Sequence, residues 1–187
     1  MKQLNFLLSL CLSLSAFCFQ SCKPCCADPL IVKIPKNDDT PPALRWEVAV
    51  LSQTPSGPIS SMNMYADAVT NISVKTTDKV DIHLVVRDDE SGVRKMNAKG
   101  GFGYTCIPPG GGTAIAVDGF VPEKSMDFST LTTCGLKEWR LIIEALNVSL
   151  SCPNNGALSG AMISITGNGE NFKGGTSSLT LNVNVSQ

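Results

Sequence analysis

Val80-Asp81-Ile82-His83-Leu84-Val85-Val86-Arg87-Asp88-Asp89-Glu90-Ser91-Gly92-Val93 is the stretch that decides the fold. Apolar residues at 80, 82, 84 and 86 alternate with Asp81, His83 and Arg87, and only Val85 breaks the rule. A period of two puts one set of side chains on one face of an extended strand. Asp88 to Gly92 are turn formers, and Val93 starts the next apolar pattern. The same alternation recurs at Trp46, Val48 and Val50, at Ile72 and Val74, at Ile115 and Val117, and at Ile163 and Ile165. It returns at Leu179, Leu181, Val183 and Val185, set between Thr180, Asn182 and Asn184. Turn clusters at Ser56–Pro58, Pro108–Gly112, Pro153–Gly156 and Lys173–Gly175 separate these runs. Many short half-buried strands with such punctuation predict an all-β antiparallel sandwich.

One segment fits two patterns. Leu136 to Leu150 places Trp139, Ile143 and Leu146 on one face of a helix, or Trp139, Leu141, Ile143 and Ala145 on one face of a strand. Its β-rich surroundings and the ending Asn147-Val148-Ser149 favour the strand.

The run from Val80 to Val93, an alternating strand closed by an acidic turn and Ser-Gly-Val, resembles immunoglobulin-like domains of bacterial surface proteins. The final alternating strand, Ser177 to Val185, is similar to their last strand. The resemblance spans residues 43–187 and implies an immunoglobulin-like antiparallel β-sandwich. The Cys…Trp…Cys spacing of antibody-type domains is missing from the chain, so no ligand or adhesive role comes with it.

The first residues say where the protein goes. Lys2 gives a cationic start, Leu4 to Phe19 is an apolar run of 16 residues, and Ser21-Cys22 precedes a polar stretch. A spanning helix needs about 20 apolar residues, so this is a signal peptide. Phe19-Gln20-Ser21-Cys22 resembles the loose lipobox of Bacteroidota-type lipoproteins. The resemblance implies cleavage before Cys22 and its acylation, with cleavage after Cys18 and plain secretion as the rival. Lys23, rather than Asp, follows the cysteine. By similarity to enterobacterial sorting, this implies an outer-membrane or cell-surface location. Residues 1–21 are then the signal, 22–42 a proline-rich tether with a short edge strand at Leu30–Ile34, and 43–187 the domain.

Of the 187 residues, 166 follow the signal, enough for one ordinary domain. The net charge of −1 for the whole chain excludes the basic footprint of a nucleic-acid binder. Eight cysteines in an exported chain point to disulfides. Cys11 and Cys18 leave with the signal and Cys22 takes lipid. Among Cys106, Cys134 and Cys152, the pairings 106–134 and 134–152 are favoured equally, with the remaining thiol buried or paired to Cys25 or Cys26.

Chemistry is sparsely signalled. His83, the one histidine, sits on the polar side of its strand, with no nucleophile elbow elsewhere to join it. Asp88, Asp89 and Glu90 offer three carboxylates in one turn, a start for a calcium site but not an EF-hand loop. The glycine-rich Lys99–Gly103 and Gly167–Gly169 lack phosphate-loop spacing and read as turns or bulges. Trp46 and Trp139 fall on apolar phases and read as core. The expectation is a non-catalytic envelope lipoprotein without a cofactor, held to the membrane by lipid and presenting loops, Ser52–Met64 and Thr105–Gly112, to a protein or glycan. The alternatives are a polysaccharide hydrolase using Asp88 or Glu90 with Asp118, and a calcium-stabilised stalk.

Overall fold

The computed structural model describes residues 28–52, 61–65, 69–76, 78–143 and 152–186. Among these run β1 (Ile31–Lys33), β2 (Ala43–Ser52), β3 (Ser61–Tyr65), β4 (Asn71–Lys75), β5 (Lys79–Arg87), β6 (Val93–Ile107), β7 (Ile115–Asp127), β8 (Cys134–Leu136), β9 (Glu138–Ile143), β10 (Ala157–Asn171) and β11 (Thr176–Ser186). A single 3-10 turn at Pro153–Asn155 interrupts them. The larger sheet is ordered β1-β8-β6-β10-β11-β4, with β7 also paired to β6; the smaller is ordered β3-β2-β5-β9. The pairings are antiparallel except that β4 runs parallel to β11, from Asn71 opposite Asn182 to Lys75 opposite Ser186.

The two sheets close on the residues that the period-two pattern selects. Trp46, Ile82, Leu84 and Val86 from the smaller sheet are fully buried against Ile165, Leu181 and Val183 of the larger. The Trp46 indole satisfies its polar atom across the core, where Nε1 donates to the Leu179 carbonyl at 3.3 Å. Close approach is allowed by Gly167 and Gly169 in β10. A Cβ on Gly167 would lie 2.6 Å from Leu84 and 3.0 Å from Trp46, and one on Gly169 2.7 Å from Val86. These glycines are therefore packing positions inside a strand, not turns. Lys99–Gly103 also lies within a strand, β6. Here the bulge reading holds at one point, since register slips between Ala98 and Gly100 where β6 meets β7.

The strand reading of 136–150 holds for β9, which buries Leu141 and Ile143; residues 144–150 lie outside the described part. Trp139 is half-buried and meets Phe128 edge-on, with ring centroids 5.0 Å apart. The edge strand expected at Leu30–Ile34 is β1, paired to β8 with Lys33 opposite Cys134. Residues 28–42 lie against the sandwich, with Asp38 and Pro42 buried.

Val85, which breaks the alternation, points outward and is nevertheless fully buried. Arg45 and Arg140 stand opposite it on β2 and β9. They are tied to Glu47 at 3.0 and 2.7 Å, and Arg45 to Glu138 at 3.3 Å. The aliphatic stems of this charged lattice cover the valine, so a surface ion-pair network serves as its apolar roof.

Three strands are long. β6, β7 and β10 hold 15, 13 and 15 residues. At about 3.3 Å per residue, β6 runs about 45 Å from Val93 to Ile107. It gives the molecule two ends, one at the Asp88–Gly92 turn and β8, the other at the tip joining β6 to β7.

Candidate functional site

The three carboxylates of the Asp88-Asp89-Glu90 turn diverge. Asp88 is buried, and its Oδ1 accepts the backbone N–H of Glu90, Ser91 and Gly92 at 3.1, 2.7 and 3.0 Å. An aspartate that gathers the amides of its own turn fixes that turn, and such charge-assisted bonds are the strong kind. Gly92 takes φ +84, which the turn requires, and a Cβ there would meet the Gly135 backbone at 2.9 Å. Asp89 turns outward to Arg87 at 2.9 Å, which holds its carboxyl below the ordinary range. Glu90 receives the Thr40 hydroxyl at 3.3 Å.

Asp88 also belongs to a buried polar knot. The Asn171 side-chain amide donates to Asp88 Oδ2 at 3.1 Å, to Asp38 Oδ2 at 3.2 Å and to the Thr40 carbonyl at 2.8 Å. Its own oxygen accepts the N–H of Lys173 and Gly175 at 2.9 and 2.8 Å. One amide thus holds two carboxylates and the β10–β11 turn. The Ser91 hydroxyl, which donates to Asp88 Oδ1 at 3.4 Å, also holds the neighbouring Asp38 carboxyl below its usual value against the opposing effect of burial. Among the described residues, no group of three His, Cys, Asp or Glu is arranged to hold a metal.

Asp118 lies elsewhere. It faces Gly103, ten residues along β6 from Val93, about 33 Å by strand rise. Two carboxyls that act on one glycosidic bond stand roughly 5–10 Å apart, and Asp118 is not brought to Asp88 or Glu90. His83 is half-buried on the outer face of the smaller sheet, between Glu47 and Ile142.

Cys106 is bonded to Cys152, so neither favoured pairing is formed. Leu158 of β10 and Ile115 of β7 flank Cys106 across the sheet, and Cys152 opens the turn that leads into β10. Strand neighbours, rather than spacing, choose the partner. Cys134 is disulfide-bonded as well; Cys22, Cys25 and Cys26 lie outside the described residues.

The expected loop 52–64 is mostly outside the described residues. That at Thr105–Gly112 is the end of β6 and a tight turn, with Gly110 and Gly111 at φ +88 and +80. The surface that stands out is the outer face of the larger sheet. Across β7, β6, β10 and β11 it carries Phe120, Gly101, Ser164 and Asn182 in one row. Phe120 is 89% exposed, the most exposed of the large apolar side chains described. Around it polar side chains form ladders: Ser164 to Asn182 at 3.1 Å, Asn182 to Asn71 at 3.2 Å, Thr166 with Thr180 at 3.1 Å, and Asn168 to Asn97 at 2.8 Å. These bonds hold amide and hydroxyl groups in fixed rotamers on a flat face.

Two shallow depressions lie along the same sheet, neither of them lined by Phe120. One of about 480 Å³ is lined by Lys95, Asn97, Asp127, Asn168, Glu170 and Thr176, its charges balanced by Lys95–Asp127 at 3.5 Å and Arg94–Glu170 at 2.8 Å. The other, about 470 Å³, is lined by Gly103, Thr105, Ala116, Asp118, Gly160 and Met162. Phe120 was not singled out from sequence. Its signal is a bulky aromatic on the polar phase of its strand, opposite a glycine. Compared with known proteins, the chain matches no family model and no curated sequence.

Proposed function

We propose that this protein is a non-catalytic, envelope-anchored lipoprotein whose immunoglobulin-like sandwich binds a glycan on the outer face of its larger sheet. The anchor reading rests on the signal and on Ser21-Cys22, and it locates the protein at the outer membrane or cell surface. The immunoglobulin-like assignment is supported by strand order. β4 lies parallel to the last strand, β5 pairs with β9, and β6, β10 and β11 stand side by side in the opposite sheet.

The observation that carries the binding reading is Phe120, exposed on a flat field of amides and hydroxyls. An exposed aromatic ring offers a rigid apolar face on which a ligand can stack. A pyranose offers the complementary surface, a C–H face for the ring and equatorial hydroxyls for Asn168, Asn182 and Ser164. The ion pairs of the groove at Lys95 and Glu170, farther along the same sheet, balance internally, which suits a neutral ligand.

Affinity electrophoresis of the mature chain through gels holding soluble neutral polysaccharides tests this. Retardation by at least one polysaccharide, abolished in Phe120→Ala, is expected. Unchanged mobility in every gel refutes glycan binding. The anchor is tested by the intact mass of protein from the host membrane fraction, which should equal residues 22–187 plus acyl chains.

A further inference from the structure

We infer that the end of the sandwich formed by β1, β8 and the Phe128–Thr133 turn rests on the lipid surface, with Leu30 and Leu131 as its contact residues. This rests on the anchor reading above. Six peptide units separate Cys22 from Asp28. Fully extended they span at most about 20 Å, so an acylated Cys22 keeps Asp28 within that distance of the headgroups by any path.

From Asp28 onward the chain is fixed to the domain. Ile31 N donates to the Asp28 carbonyl at 3.0 Å, and Asp28 Oδ1 accepts the N–H of Leu30 at 2.8 Å, closing a turn. The Leu30 carbonyl accepts from Lys137 N at 2.9 Å, and β1 then joins β8. The tether therefore ends on a rigid element, and this end of the sandwich is the part that the anchor holds down.

Two leucines stand out at that end, beside the exposed charges of Asp28 and Lys33. Leu30 is 65% and Leu131 38% exposed, and beside them Ile31, Leu131 and Leu136 line a groove of about 510 Å³ with Thr130, Thr132 and Thr133. Two leucines would not bind a bilayer from solution. A six-residue tether raises their effective concentration at the surface to the millimolar range or above, where weak contacts are populated. The Pro108–Gly112 tip then stands about 45 Å farther out, at the far end of β6.

The test is an NMR measurement on acylated protein in nanodiscs doped with a gadolinium-chelate lipid, after its acyl mass is verified. Loss of the amide peaks of Leu30 and of residues 131–136, with the Gly110–Gly112 peaks kept, is expected. Leu30→Ser/Leu131→Ser, both on exposed side chains, should restore part of the lost intensity. Even broadening over both ends, or loss centred on Gly110–Gly112, overturns the inference while the anchor stands. So does peak loss that follows protein concentration without gadolinium, which assigns the patch to a second copy. A mature chain with no acyl mass overturns the anchor reading and this inference with it.

Discussion

The two ends of the sandwich are held differently, although each has a disulfide-bonded cysteine, Cys134 at one and Cys106–Cys152 at the other. At the Asp88 end four polar residues, Asp38, Asp88, Ser91 and Asn171, are buried and satisfy one another. At the β6–β7 tip the apolar side chains Ile107 and Ile115 stand 42% and 40% exposed, and a covalent Cys106–Cys152 bond spans 46 residues. Where strands outrun the opposing sheet there is little core to bury, and a cross-link replaces it. Where loops converge, backbone groups need partners, and buried side chains supply them. The contrast teaches that apolar packing governs only the middle of this molecule.

Breaking the tip is expected to have the largest effect. Cys106→Ala/Cys152→Ala should lower unfolding free energy by about 4 kcal/mol, the chain-entropy value for a loop of this length, as read in urea denaturation. A loss under 1 kcal/mol would mean that the tip is held by its strands alone. Asn171→Ala removes the amide between two carboxylates and should cost about 3 kcal/mol. If the two ends are independent, its effect adds to that of the disulfide variant; strong non-additivity would end the comparison.

Acid sharpens the contrast, because the carboxyls held below their usual value, Asp38, Asp89 and Asp127, lie at the Asp88 end. Asp38 has its carboxyl lowered from 3.8 in the folded state, first by the Ser91 hydroxyl. Its contribution is therefore complete above pH 3.8 and is lost as pH falls through the lower, folded value. Asp38→Asn should lessen the slope of the stability profile below that pH, whereas the disulfide variant should shift the whole curve without changing its shape. The smallest effect on stability is expected at Phe120. Phe120→Ala should stay within about 0.5 kcal/mol of the parent while abolishing retardation by polysaccharide, which separates the proposed binding face from both ends.

The fold was legible where burial has a period. Trp46 to Val50, Val80 to Val86 and Leu179 to Val185 each announce a strand with one apolar face, and each is found as such. Where a residue's environment is set by distant chain, local pattern is silent. Val85 looks like an error in the alternation until Arg45 and Arg140 arrive from two other strands to cover it. Asn171 looks like a turn residue, and its partners Asp38 and Asp88 lie 133 and 83 positions away. The cysteine pairing depends on β10 lying beside β6, which spacing does not encode. Of the candidate site, the acidic turn was visible, but its carboxylates go to three different partners. Phe120 could be recognised only once Gly101, Ser164 and Asn182 were seen beside it.

The parallel pairing of β4 with β11 has a consequence for how the protein is made. β11 is the last strand described, yet its Asn182 bonds to Asn71, 111 positions earlier, and its Leu179 carbonyl receives the indole of Trp46, 133 positions earlier. Contacts of such span form late, because the loop between them must close first. A chain emerging amino end first exposes half a core until β11 has followed. Closure of the core thereby waits for the carboxy-terminal strand, and chain emergence and folding become successive events set by strand order.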